Sequence, residues 1–134
     1  MREKIRTVEL KPINPDTLKI SKVPDSPDSF SVELPVTEFC DESWKMFFSE
    51  KVRTTTTALN RRLNIQISWL SIAVVTASED IKDTVALVKK LVLATNEEVK
   101  KYNEEVEKEW EAYRKEEKIV EEKISKMREA LKQV

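Results

Sequence analysis

Apolar and polar residues alternate most cleanly at Phe30, Val32 and Leu34, which are separated by Ser31 and Glu33. A period of two turns one side of an extended chain toward a core, so the pattern predicts a strand over 29–35, closed by Pro35. The same period, more weakly marked, predicts strands over 5–10, with Val8 and Leu10 in phase, and over 17–23, with Leu18 and Ile20 in phase. Pro12, Asn14, Pro15 and Asp16 mark the first turn, and the run from Val23 to Asp28, with Pro24 and Pro27, marks the second.

The spacing then changes. Trp44, Phe48 and Val52 lie four apart behind Asp41 and Glu42, a capping residue and a first-turn acid, which predicts a helix over 41–53 with one apolar face. The β-branched run Thr54–Thr57 is expected to end it. Residues 58–76 admit two patterns. Ile65 and Ile67, then Ile72, Val74 and Val75, favour strands over 64–68 and 71–77 with a turn at Ser68–Ser71. Leu59, Leu63, Ile67, Leu70 and Val74 also fall at helical spacing, so a helix stays open there.

From Ser78 onward the sequence has neither Pro nor Gly. Ser78 reads as a cap and Glu79 and Asp80 as first-turn acids, predicting a helix from 79 to the end of the sequence. Val85, Val92, Val99, Val106, Tyr113, Val120, Met127 and Val134 are spaced seven apart. Val88, Thr95 and Tyr102 supply a second row, which shifts after Val106 to Trp110, Glu117, Ile124 and Leu131, a single stutter in a heptad pattern. Near the start Leu87, Leu91 and Leu93 widen the stripe, as packing on a sheet requires. Beyond Val99 it narrows to a seam of coiled-coil width flanked by Glu and Lys. Between Glu97 and Val134 there are 12 acidic and 10 basic residues, too many charges for burial on all sides.

These elements define an α+β class: a small antiparallel sheet of four or five short strands, covered by a short helix and by the start of a long C-terminal helix. Residues 1–96 form the expected head, and 97–134 are expected to project as a coiled coil. The seam residues Val99, Tyr102, Val106, Trp110, Tyr113, Val120, Ile124, Met127 and Leu131 are the expected oligomer interface. A homo-oligomer, a dimer foremost, is expected, and a different protein partner is the alternative use of the same face.

Composition removes most enzyme classes. The chain of 134 residues has no glycine and no histidine. Without glycine there is no phosphate-cradling loop of the dinucleotide or P-loop kind, and without histidine neither the usual general base nor the commonest metal ligand is present. Cys40 is the only cysteine, which excludes an internal disulfide and a Cys-rich zinc site. With Phe39 beside it, Cys40 is expected to face the core, and Trp69 is assigned to the core as well. Asp80 and Asp83 could share a magnesium ion, but capping and turn chemistry account for every acid of this kind. No catalytic, cofactor or metal residue is therefore assigned, and no cofactor is expected.

The formal net charge is −1, with both signs mixed throughout, which argues against nucleic acid and an anionic membrane as partners. Arg53, Arg61 and Arg62, with the threonines between them, form the one candidate phosphate-contacting loop; they carry the rival reading, a nucleic-acid-associated regulator with a coiled-coil dimer. With no leader-like apolar segment and one thiol, the expected location is the cytoplasm.

Overall fold

The computed structural model describes residues 2–134. The fold is α+β, with a four-stranded antiparallel sheet, a short helix and a long C-terminal helix. The strands are β1 (Lys19–Lys22), β2 (Phe30–Pro35), β3 (Ile65–Ile67) and β4 (Ser71–Thr76), in the order β1-β2-β4-β3. The helices are α1 (Glu42–Leu59) and α2 (Ile81–Leu131), and a 3-10 turn, Ser78–Asp80, leads into α2. Two compact units divide the chain: Ile5–Lys100, and the N-terminal residues through Lys4 with Lys101–Val134.

The period of two explains the sheet. Val32 pairs with Val74 and Leu34 with Ile72 across the β2–β4 ladder, and all four side chains are buried. Between them Glu33 and Ala73 face the other way and stay partly accessible. Residues 64–77 therefore take the strand reading and not the helical one. Ser68 N–H donates to Ser71 O at 2.8 Å to close the β3–β4 turn. The β1–β2 turn needs one left-handed residue, Asp25 with φ 62°, a conformation that Asp tolerates better than most non-glycine residues. β1 is a shorter and more exposed strand than the alternation of 17–23 implies: its four residues are all exposed, Ile20 included, because it lies at the sheet edge.

The strand expected over 5–10 does not form. The segment is extended, with Ile5 and Val8 buried, but it meets the chain just past β2 at one isolated bridge, Leu10 to Val36, with Thr37 N–H donating to Glu9 O at 2.8 Å. Its other partner is a side chain. Asn96 Nδ2 donates to Val8 O at 2.7 Å, and Asn96 Oδ1 accepts from Val8 N–H at 3.2 Å. The same Oδ1 accepts the indole N–H of Trp44 at 2.9 Å. One buried carboxamide thus replaces a ladder for this stretch, satisfying three groups that would be costly to bury alone.

Helix α1 begins as expected: Asp41 accepts the Trp44 N–H at 2.8 Å in the N-cap manner. It does not end at Arg53 but runs on to Leu59. Thr54 Oγ1 donates to Glu50 O and Thr57 Oγ1 to Arg53 O, so two of the threonine hydroxyls find acceptors inside the helix instead of pulling the backbone out of it. The stop is Asn60, left-handed at φ 49°, with the Arg61 N–H reaching back to Thr56 O. On the inner face Trp44 and Phe48 stack at 5.1 Å between centroids and are fully buried. Each contributes roughly 2–3 kcal/mol of apolar burial.

Ser78 does not cap the long helix. Ala77 occupies the capping position of the 3-10 turn without a side-chain bond, and Ser78 N–H donates to the Asp28 carboxylate at 3.3 Å. Thr76 and Thr84 share a hydroxyl bond at 2.9 Å, linking β4 to the first turn of α2. Val88, Leu91, Val92, Thr95, Asn96 and Val99 form the buried face of α2 in this unit, whereas Leu93 points to solvent. Lys51 and Glu98 pair between the two helices at 3.2 Å.

Candidate interaction surface

Within the second unit the N-terminal residues run along α2. The Arg2 guanidinium forks onto Glu109, lies 5.0 Å over the Tyr102 ring, and its backbone carbonyl accepts the Trp110 indole N–H at 3.0 Å. Two residues on, Lys4 pairs with Glu107 at 2.6 Å, and Arg114 reaches the same carboxylate at 3.1 Å. Lys4 first, then Arg114, hold the Glu107 carboxyl below the ordinary carboxylate range, and Arg2 does the same for Glu109. Tyr102 and Trp110 are accordingly half-buried.

This arrangement corrects part of the expected oligomer interface. Val99 and Val106 are fully buried in the single chain, so neither is free to enter a seam with another molecule. Tyr102 and Trp110 are partly used by Arg2. The heptad row does not distinguish a residue covered by its own chain from one awaiting a partner, because both produce the same period.

Past Trp110 the picture changes. Tyr113, Val120, Ile124, Met127 and Leu131 occupy one face of α2 at spacings of seven, four, three and four, and all are between 43 and 70% exposed. Glu117 is the polar member of the row, and the Tyr113 hydroxyl bonds to it; that bond, with the negative charge of Glu117 and Glu116, raises the tyrosine pKa. Charged residues flank the row on both sides, with Arg114, Glu121 and Arg128 on one and Glu116 and Lys123 on the other. An isolated helix gains nothing from a continuous apolar stripe in water; the stripe is stabilising only when it is covered.

The arginines of the candidate phosphate loop are not brought together as a set. Arg53 lies on α1 with its guanidinium on Glu50, three residues back. Arg61 and Arg62 follow α1 and line an open recess of about 280 Å³ together with Asp28 and Asp80. Two carboxylates in the same recess oppose the binding of a phosphate there. Among the described residues no group of three or more His, Cys, Asp or Glu is placed to hold a metal ion. Cys40 is buried, and that burial raises its thiol pKa, with Lys45 working in the opposite direction.

Two features escaped the sequence reading. Trp69, assigned to the core, is 73% exposed at the tip of the β3–β4 turn, where it meets the exposed Phe39 edge-on at 5.3 Å. A turn without glycine leaves its two central side chains outside the sheet, and that signal was available in Ser68–Ser71. Asn96 is the other: a carboxamide beside Thr95, between the apolar Val92 and Val99, marks a buried polar junction.

No helix among the described residues is long and apolar enough to cross a membrane. Comparison with protein-family models, curated proteins and solved structures finds no match for this chain.

Proposed function

We propose that this chain is a non-enzymatic interaction or assembly module that self-associates, as a dimer, through the exposed face of α2. The observation that supports the reading most directly is the apolar row from Tyr113 to Leu131, interrupted only by Glu117 and open to water along its length. Pairing two such rows removes large side chains from solvent, at roughly 25 cal/mol per Å² of apolar surface covered. The residues assigned to the contact are Tyr113, Val120, Ile124, Met127 and Leu131, with Trp110 at its inner end. The single, buried Cys40 supports a reducing, cytoplasmic setting for the assembly.

Light scattering on the full chain and on an Ile124→Lys variant tests this. The expected mass for the unaltered chain is twice 15.6 kDa, falling to the single-chain mass in the variant with helix content unchanged. A single-chain mass at high concentration for both would overturn self-association and leave the face to a different protein. The rival reading, contact with a nucleic-acid backbone, rests on Arg61 and Arg62 alone. Salt-dependent retention on DNA or RNA, lost on Arg61→Ala/Arg62→Ala, would support it.

A further inference from the structure

We propose that the two copies pair antiparallel, in the register that sets Tyr113 against Ile124 of the partner subunit and Glu117 against the partner's Val120. The inference rests on the self-association reading above and adds the direction and alignment of the helices. It is carried by the charges that flank the exposed row, together with the one acid inside it.

In a parallel, in-register pair each flanking residue lies beside a flanking residue of the partner one turn further on. Glu116 would then lie beside the partner's Glu121, and Lys123 beside the partner's Arg128, each contact occurring twice by symmetry. Inside the seam Glu117 would face its own copy, bringing two carboxylates together in a contact that excludes water. The unlike contact in this arrangement is Glu109 with the partner's Arg114. Both groups are already engaged within the chain, Glu109 by Arg2 and Arg114 by Glu107.

Antiparallel pairing removes the like-charge contacts. Flanking residues of the same side now meet one another. Glu116 meets the partner's Lys123, an unlike pair made twice, and Arg114, though held by Glu107 within its own chain, lies beside the partner's Glu121, so no like charges meet. Glu117 meets an apolar Val120 instead of its own copy and keeps the hydrogen bond from Tyr113. The same alignment continues outward to Trp110 against the partner's Met127, a thioether on an indole.

The alignment is selected as well as the direction. Sliding the partner by one heptad one way brings Lys123 onto its own copy and Glu121 onto its own copy. Sliding it one heptad the other way does the same for Glu116 and Arg114. A slide of two heptads keeps an unlike Glu121–Arg128 pair but leaves Lys123 against Ala130. Each flanking pair is weak alone, but the apolar layers are similar in all these arrangements, so the flanks decide among them.

The test uses the full chain in a Cys40→Ser background and air oxidation on non-reducing gels. Tyr113→Cys and Ile124→Cys chains mixed together are expected to cross-link, while each alone yields no disulfide dimer. In parallel, Lys123→Glu is expected to raise the dissociation constant about tenfold, because two attractive contacts become repulsive. A parallel dimer would respond oppositely: Ile124→Cys would cross-link to itself, and Lys123→Glu would tighten association by placing Glu beside Arg128. Either result overturns the antiparallel assignment while leaving self-association standing, as would a dimer that cross-links in none of these combinations. A chain that scatters as a single molecule at every concentration overturns both.

Discussion

Trp44 and Asn96 share a hydrogen bond of 2.9 Å in the interior of the Ile5–Lys100 unit, and the same Asn96 oxygen also accepts from the Val8 backbone. Among the described residues every buried side-chain nitrogen or oxygen has a partner, and this carboxamide satisfies more of the interior than any other single side chain described above. Asn96→Leu keeps the approximate volume but strands the Val8 N–H, the Val8 carbonyl and the Trp44 indole N–H. The expected loss is about 3 kcal/mol, read as a lower urea midpoint. Asn96→Ser, which keeps one hydroxyl in reach, is expected to lose less.

Asn60 ends α1 in a left-handed conformation at φ 49°. Asn60→Gly is expected to be neutral or slightly stabilising, since glycine adopts this region without a Cβ clash. Asn60→Val is expected to cost about 1–2 kcal/mol in chemical denaturation. Equal stability for the two variants would show that the helix stop lies elsewhere.

Trp69 and Phe39 touch edge-on but both are exposed, so their contact holds little of the fold together. Trp69→Ala is expected to lower stability by no more than about 1 kcal/mol. Trp44→Ala, which empties a fully buried site, is expected to cost about 3–5 kcal/mol. Acrylamide should quench Trp69 emission freely and Trp44 hardly at all, in single-tryptophan variants.

Glu107 and Glu109 have carboxyl groups lowered by Lys4 with Arg114, and by Arg2. A carboxyl whose pKa is lower when folded contributes stability above the ordinary carboxylate pKa and loses it as pH falls through the lowered value. The N-terminal residues are therefore expected to stay on α2 at neutral pH and to release in acid, with a midpoint below the unperturbed glutamate value of about 4.3. The Trp110 indole N–H resonance, which reports its bond to Arg2, follows this directly. Glu107→Gln/Glu109→Gln should release the segment at neutral pH, and a titration midpoint at or above the unperturbed value would contradict the assignment.

How much of this was written in the sequence differs from element to element. β4 was legible because Ile72, Val74 and Val75 form a β-branched cluster, and β2 because Val32 and Leu34 alternate with polar neighbours. The segment over 5–10 looked like a strand for the same reason, since Val8 is buried; its backbone partner, however, is the side chain of Asn96, far away in the sequence. Pattern reads burial, not who supplies the hydrogen bonds. α1 runs past Arg53 because Thr54 and Thr57 donate to carbonyls within the helix, which threonine propensity alone does not convey, and the stop falls instead at the left-handed Asn60. In α2 the heptad pattern marks an apolar seam broken only at Thr95 and Glu117. It could not separate Val99 and Val106, already covered, from Val120 and Ile124, which are open.

The contacts that fix the first residues span the sequence: Val8 is held by Asn96, 88 positions later, and Arg2 by Glu109, 107 positions later. During synthesis on the ribosome those anchors emerge well after the residues they hold. The segment from Arg2 to Val8 must wait, tethered but undocked, until α2 as far as Glu109 has left the exit, and only then does it find its place. Ile5 and Val8 thus pass through biosynthesis as exposed apolar residues, the stage at which a growing chain is most open to proteases and chaperones.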